Sequence, residues 1–235
     1  MIIGTFDRHV GISFHDTADV LETILSEQPV IEVVQLQFNY LDYEDAHVQS
    51  RLCYEVCVKY GKPVIVMEPV RGGSLVNLPE AGLEVLNGLG EYSPAGYAIR
   101  YAASFDNIFM VLSGMSNMEQ MSDNISYMTD FKPLSDRELE AVFKVRDILN
   151  TKDIIGCTAC EYCTSGCPMT IDIPSVFALS NRLASGEHGL RKVYRELTEN
   201  SGKASACVNC GSCESVCPQK LPIRKFLERA AFEFE

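Results

Sequence analysis

Long apolar runs and positive charge are both scarce in this chain of 235 residues. The longest strongly apolar stretch without a charge, Ile108 to Met118, falls far short of the roughly 20 residues a membrane helix needs. Residues Met1 to Asp7 show no basic segment followed by an apolar one, so no secretory signal and no membrane partner are expected. Only 20 Lys and Arg stand against 32 Asp and Glu, a net charge of −12 at pH 7, which argues against nucleic acid as a partner. The deficit lies in residues 1–156, with 11 basic against 23 acidic side chains, while residues 157–235 balance at 9 and 9. A solvated acidic surface is the plainest reading of that excess.

Disorder is excluded by composition: 46% hydrophobic and 22% charged residues match an ordinary globular chain. Length excludes something more specific. Eight of the ten cysteines fall after residue 156, leaving roughly 150 residues upstream, whereas a complete (β/α)8 barrel needs about 250.

Those eight cysteines form two identical runs, Cys157-Cys160-Cys163-Cys167 and Cys207-Cys210-Cys213-Cys217, each followed by proline (Pro168, Pro218). Clustered CxxC spacing without a secretory signal points to metal binding in a reducing compartment, hence the cytoplasm, rather than to disulfides. The pattern C-x2-C-x2-C-x3-C-P is the bacterial signature of cubane iron–sulfur ligation, in which the fourth cysteine serves the other cluster. It predicts two [4Fe-4S] clusters, one on Cys157, Cys160, Cys163 and Cys217, the other on Cys207, Cys210, Cys213 and Cys167. Structural zinc is the competing reading, but four-cysteine zinc sites pair two separated knuckles, whereas here three cysteines crowd into seven residues, twice. Thr158, Ala159, Gly166, Gly211 and Ser212 are small enough to let backbone N–H groups approach a cluster. Between and after the runs, Ile173–Leu183, Leu190–Leu197 and Pro222–Phe234 read as helices, with Gly186 and Gly189 in the first gap. This stretch resembles the α-helical ferredoxin arrangement of electron-transfer subunits. Lys220, Arg224, Lys225 and Arg229 surround the last helix, where they offset cluster charge, dock an acidic partner or form a solvated face.

Upstream, four short β-branched runs recur: His9–Ser13, Val33–Phe38, Pro63–Met67 and Ile108–Leu112. Apolar on both faces, they suit strands of a parallel sheet. Helical patterns alternate with them, capped by Asp16 and Thr17, then over Asp45–Tyr60 with Val48, Leu52 and Val56 on one stripe, then from Ser93-Pro94, then over Asn117–Met128. Alternation of this kind means βαβ units. Cys53 and Cys57, at i and i+4 on the second helix, are read as packing residues, since free cysteine is usually buried and inert. Ser135 to Glu138 makes a capping box that opens a long helix. The expected organisation is therefore a four-unit α/β domain over 1–134, a connector over 135–156 and a two-cluster domain over 157–235.

The four βα units resemble the second half of an aldo/keto reductase barrel. Val10-Gly11-Ile12-Ser13 is similar to its fifth strand and Val33 to Asn39 to its sixth. Val64 to Pro69 with Arg71-Gly72-Gly73 resembles the seventh, and Leu112 to Gln120 through Asn124 the eighth. The order of the whole chain resembles aldo/keto reductase-like oxidoreductases that carry a C-terminal two-cluster ferredoxin domain. That resemblance implies a partial (half) TIM barrel and an iron–sulfur oxidoreductase. It implies nicotinamide nucleotide contacts at Ser13 and Gln35 (carboxamide), at Gly114, Met115 and Ser116 (adenosine phosphate) and at Asn124 (adenine). Met67 departs from the family's aromatic ring at the nicotinamide, and Gln120 from its arginine for the 2′-phosphate.

The family's catalytic Asp, Tyr, Lys and His belong to the first half of the barrel, for which this sequence has no counterpart; Tyr40, Tyr43 and Lys59 stand in other segments. The expectation is a longer gene product or an earlier start, with pairing to a second copy or to a separate first half as the alternatives. Two functions compete: an oxidoreductase passing electrons through its clusters to a redox partner protein or a small-molecule substrate, and a non-catalytic electron-transfer or structural iron–sulfur subunit docking to a partner enzyme. General acid catalysis needs a donor within hydrogen-bond reach of the substrate oxygen, and no residue matches one. Purified chain supplied with NADH or NADPH and simple aldehydes is thus expected to show no turnover above the protein-free rate; clear turnover in that assay contradicts the reading.

Overall fold

The computed structural model describes residues 9–151 and 154–235, divided into two compact units, Met1–Arg146 and Asp147–Glu235. The expected first domain and connector each reach into residues outside the described set, 1–8 and 152–153.

In the first unit, β1 (Gly11–Phe14), β2 (Val33–Gln37), β3 (Val64–Met67) and β4 (Ile108–Val111) make one sheet in chain order, every neighbouring pair parallel. They are linked by α1 (Ala18–Glu27), α2 (Ser50–Lys59) and the pair α3 (Glu80–Asn87) and α4 (Pro94–Ala103), and α5 (Met118–Met128) follows β4. Right-handed crossovers between strands that follow in chain order place all connecting helices on one face of the sheet. Burial records this. Val34, Leu36, Val64 and Val66 are buried almost completely, while their alternates Val33, Gln35, Ile65 and Met67 are only half-buried. The unit is a partial TIM barrel with one helix-covered face and one uncovered face. At one sheet edge Gly11 lies opposite Val33, where a Cβ would stand 2.6 Å from Val33 Cγ1; glycine is what lets β1 approach there. At the other edge Phe109, Met110 and Leu112 are exposed, as are Met118, Met121 and Ile125 of α5.

Several local expectations change in detail. Neither Asp16 nor Thr17 caps α1 through its side chain; Asp16 Oδ1 accepts from Thr17 N instead, and Gln49 Oε1, 31 residues away, takes the N–H of Ala18 at 3.0 Å. The second helix starts at Ser50 rather than Asp45, because Asp45 Oδ1 accepts from the N–H groups of His47 and Val48 and holds a separate turn. Its buried stripe is Cys53, Val56 and Cys57, while Leu52 is exposed. α3 has no counterpart in the pattern reading, because Gly82 lowers its helix propensity. The same glycine is buried, and a Cβ on it would sit 3.5 Å from Leu78 Cβ and 3.7 Å from Val145 Cγ1. The cap expected at Ser93 forms, its Oγ accepting from Gly96 N, and Asn117 caps α5 as well, its Oδ1 accepting from Gln120 N.

α6 (Asp136–Thr151) opens with the expected box: Ser135 N donates to Glu138 Oε2 at 2.7 Å and Glu138 N to Ser135 Oγ at 3.4 Å. The same carboxylate receives Arg100 Nη1 at 2.5 Å, and that guanidinium, 3% exposed, also donates to the carbonyls of Lys132 and Pro133. α4 is thereby tied to the start of α6.

In the second unit α7 (Ile173–Ala184), α8 (Arg191–Leu197), α9 (Ser212–Ser215) and α10 (Ile223–Phe234) surround a core that includes Ile171, Val176, Phe177, Leu227 and Phe234. α7 and α10 begin and end fifty positions apart, as do the two cysteine runs. The backbone repeats with them. Left-handed residues occur in matched pairs, Ala159 (φ 52°) with Asn209 (φ 56°), Glu161 (62°) with Gly211 (81°) and Thr170 (51°) with Lys220 (50°). The unit is an internal duplication.

Burial raises the Glu138 carboxyl, but Arg100 and the Ser135 N–H and hydroxyl outweigh it and hold the pKa below the ordinary value. A depressed carboxylate stabilises the fold above its unfolded pKa and loses that contribution as pH falls through the folded one. Arg100→Leu leaves the carboxylate buried without its cation and is expected to destabilise by about 3–5 kcal/mol at pH 7. In urea titrations followed by helical circular dichroism, the gap from wild type should narrow as pH drops through the lowered Glu138 value.

Candidate metal centre

Each cysteine run winds through left-handed residues at its third and fifth positions, which turn three thiols toward one side. Cys157, Cys160 and Cys163 line a cavity of ≈ 340 Å³ whose wall is completed by Cys217, from the other run. Cys207, Cys210 and Cys213 line a second, of ≈ 320 Å³, completed by Cys167. Apolar side chains form the backs of both, Ile173, Phe177 and Ile223 in the first and Ile171, Ile173 and Leu227 in the second. The grouping is the crossed one expected from the x3 step.

The thiols differ in how they feel this setting. Cys163 is pushed up to about 12, by burial first and then by Cys157, Cys160 and Cys217, so these four sense one another. Cys213 is raised by burial, then by Glu214 and Cys207. Cys210, exposed, is lowered by the N–H and hydroxyl of Ser212, with a further contribution from Arg224. Cys53 and Cys57 of the first unit are buried thiols pushed up to about 11 and about 12 by desolvation, which suits packing residues.

The donor set fits a multi-atom cluster. Among the described residues no three of His, Cys, Asp or Glu converge closely enough to hold a single metal ion. Four soft thiol donors spread around a pocket with apolar backing are what a thiolate-ligated cubane requires.

On the first unit, Ser13 and Gln35 are register partners on β1 and β2, on the uncovered face. Gln35 Nε2 donates to Met67 Sδ at 3.3 Å, so the side chain standing in the family's aromatic position is tied to this pair. Gly114, Met115 and Ser116 lie in an exposed loop after β4, where Gln120 Oε1 accepts from Ser116 N. Asn124, on α5, bonds within its own neighbourhood. Its Nδ2 donates to Ser113 Oγ at 2.8 Å and its Oδ1 accepts from the Tyr127 hydroxyl. Tyr40 and Tyr43 pack among aromatic rings with Tyr101, and Lys59 pairs with Glu22.

A buried network beyond the carboxyl ends of β2 and β3 has no counterpart in the pattern reading. Asp42, 1% exposed, accepts from Gln37 Nε2 (2.7 Å), Asn39 Nδ2 (2.8 Å) and Arg71 Nε (2.8 Å). Glu68 Oε2 accepts from Gly72 N at 2.6 Å, and Glu68 and Arg71 are both left-handed. Burial raises the Glu68 carboxyl despite that bond. The sequence signal was present in Gln37 and Asn39, amides placed where an apolar strand ends.

A parallel α/β sheet wound in one direction, followed by a duplicated thiol-rich helical unit, defines a two-part protein. The chain belongs to the aldo/keto reductase family, whose signature its residues 8–147 match, and residues 156–221 match a 4Fe-4S dicluster domain. Among curated proteins, the alpha 1 subunit of the acetyl-CoA decarbonylase/synthase complex of Methanosarcina barkeri (strain Fusaro / DSM 804) is 26% identical over 81 residues, 34% of this chain and 9% of that protein. Among solved structures, an aldo-keto reductase from Bacillus halodurans is 22% identical with a TM-score of 0.47, covering 59% of this chain and 50% of that one. One from Klebsiella pneumoniae, in complex with NADPH, is 16% identical with a TM-score of 0.46, covering 59% and 48%. The chain thus spans about half the length of these structures. Among the described residues no helix is long and apolar enough to cross a membrane.

Exposure and thiol acidity rank the cysteines. In metal-free protein at pH 8, iodoacetamide is expected to modify Cys210 first and Cys53, Cys57 and Cys163 last, since the thiolate is the nucleophile. Peptide mapping by mass spectrometry over a time course reads the order.

Proposed function

We propose that the chain is an iron–sulfur electron-transfer component of the aldo/keto reductase family that binds two [4Fe-4S] clusters. Cys157, Cys160, Cys163 and Cys217 hold one, and Cys207, Cys210, Cys213 and Cys167 the other. The carrying observation is that each run supplies three thiols to one cavity and its fourth to the other. When bound, such clusters supply one-electron transfer. The protein's own part is to present thiolates, aim N–H groups from the left-handed turns and keep water from the apolar backs of both cavities.

The first unit is proposed to be a docking and substrate half. Its uncovered sheet face and the exposed apolar side chains of β4 and α5 support a protein partner there, whether a first half-barrel, a second copy or a redox enzyme. Ser13 and Gln35 are the proposed partners of a carboxamide such as that of NAD(P), a reading supported by their side-by-side register on β1 and β2. Gly114, Met115 and Ser116 offer backbone to a phosphate, and Asn124, whose amide carries a second N–H and a second oxygen lone pair beyond its bonds to Ser113 and Tyr127, is the proposed adenine contact. Thiol-held clusters suit the reducing cytoplasm.

Anaerobic reconstitution should yield iron and sulfide for two cubanes per chain, visible by absorbance and by electron paramagnetic resonance after reduction. Cys217→Ser should then degrade the same signal as Cys157→Ser, and Cys167→Ser the same signal as Cys207→Ser. Pairing of Cys217 with Cys207 in that comparison would rule out the crossed ligand sets.

A further inference from the structure

The two cavities are related position by position, fifty residues apart, so most lining residues of one have a counterpart lining the other. The thiols and the isoleucines at 173 and 223 agree. Charge does not. Glu161 lines the first cavity where Gly211 lines the second, and Arg224 lines the second where Pro174 lines the first. Of the four basic residues around α10, Arg224 is the one among the described lining residues. Arg229 points to Glu233 at 3.6 Å and lies over the Phe226 ring, and Lys220 and Lys225 are exposed.

Arg224 is held in place. Its Nε and Nη2 donate to Glu214 Oε2 at 3.0 and 2.8 Å, its backbone N–H to Glu214 Oε1 at 2.9 Å and its Nη1 to the Asn209 carbonyl at 3.4 Å. Of this pair, the guanidinium is the one among the described residues lining the cavity. A charge on the wall acts directly on the field inside.

Resting on the two-cluster reading, we propose that Arg224 and Glu161 make the two centres unequal electron carriers. A cluster on Cys167, Cys207, Cys210 and Cys213 accepts its electron at a higher potential than one on Cys157, Cys160, Cys163 and Cys217. Reduction adds one negative charge, which a fixed cation stabilises and a carboxylate opposes. Passage between them moves one electron, oxidising the first centre and reducing the second, with no bond broken and no proton needed. The electron comes to rest beside Arg224.

The test uses the full chain, reconstituted anaerobically and assayed first for iron and sulfide. A wild-type chain that takes up none overturns the cluster reading, and this inference with it. Loaded protein is then titrated with dithionite and mediators, each wave followed by electron paramagnetic resonance. Two one-electron waves are expected. Arg224→Gln should lower the upper wave by roughly tenfold in its reduction equilibrium, about 59 mV for one electron, and leave the lower wave in place. Arg224→Lys should keep the upper wave close to wild type, Glu214→Gln should raise it, and Glu161→Gln should raise the lower one. Should Arg224→Gln fail to load, the two glutamate variants decide. With iron content intact, an upper wave unmoved by the Arg224→Gln and Glu214→Gln changes, or a lower wave moved by either, overturns the assignment.

Discussion

The exchange of one thiol between repeats governs the second unit. Cys167 and Cys217 each leave the run that encodes them and close the cavity of the other. Neither repeat can then complete a four-thiol site alone, and the fifty-residue spacing must be kept in three dimensions. This explains why α7 and α10 match in length and why both pack on one core, with Phe177 against Phe226 edge to face at 5.6 Å. It also explains the tolerance of left-handed Ala159, Glu161, Thr170 and Lys220. Backbone in that region is strained for residues with a Cβ and persists only where the surroundings over-determine it.

How much of this could be read from sequence depends on how local the signal is. The cysteine runs carry spacing, and spacing fixes which thiols can turn toward one point, so the cavities emerge with the expected members. The four strands were legible because β-branched runs between helical patterns leave few alternatives, and Ser135 with Glu138 announces α6 within four residues. Contacts across long separations left no such trace. Gln49 caps α1 from 31 positions away, and Arg100 reaches Glu138 across 38. Gly82 reads as a helix breaker until its packing against Leu78 and Val145 is seen. Asn124 bonds Ser113 and Tyr127, contacts that its place in the sequence does not reveal.

The two units differ in how far they satisfy themselves. The duplicated unit buries its apolar side chains against its own second copy, a symmetry that encloses a core. The singly wound sheet has no such partner within its unit. Helices on one face leave Val33, Gln35, Ile65 and Met67 half-buried on the other, and among the described residues β1 and β4 are the edge strands, β4 with Phe109 and Met110 in the open. A sheet of this kind is stable in water once a second layer or further strands complete it.

Electron counting ties the proposed sites together. A nicotinamide, the group proposed for Ser13 and Gln35, would supply a hydride, two electrons at once, while a cubane would take one. Two centres of unequal potential, as proposed, would take the pair in sequence, the first electron beside Arg224 and the second beside Glu161, and so together match a hydride that neither would accept alone. What such a pair demands is a group able to divide the hydride before the first transfer. Met67, tied to Gln35 through its sulfur, has no such chemistry, and the carboxylates of buried Asp42 and half-buried Glu68 are engaged in holding the loop after β3. The proposed electron path therefore calls for a group that divides the hydride, in addition to the two clusters.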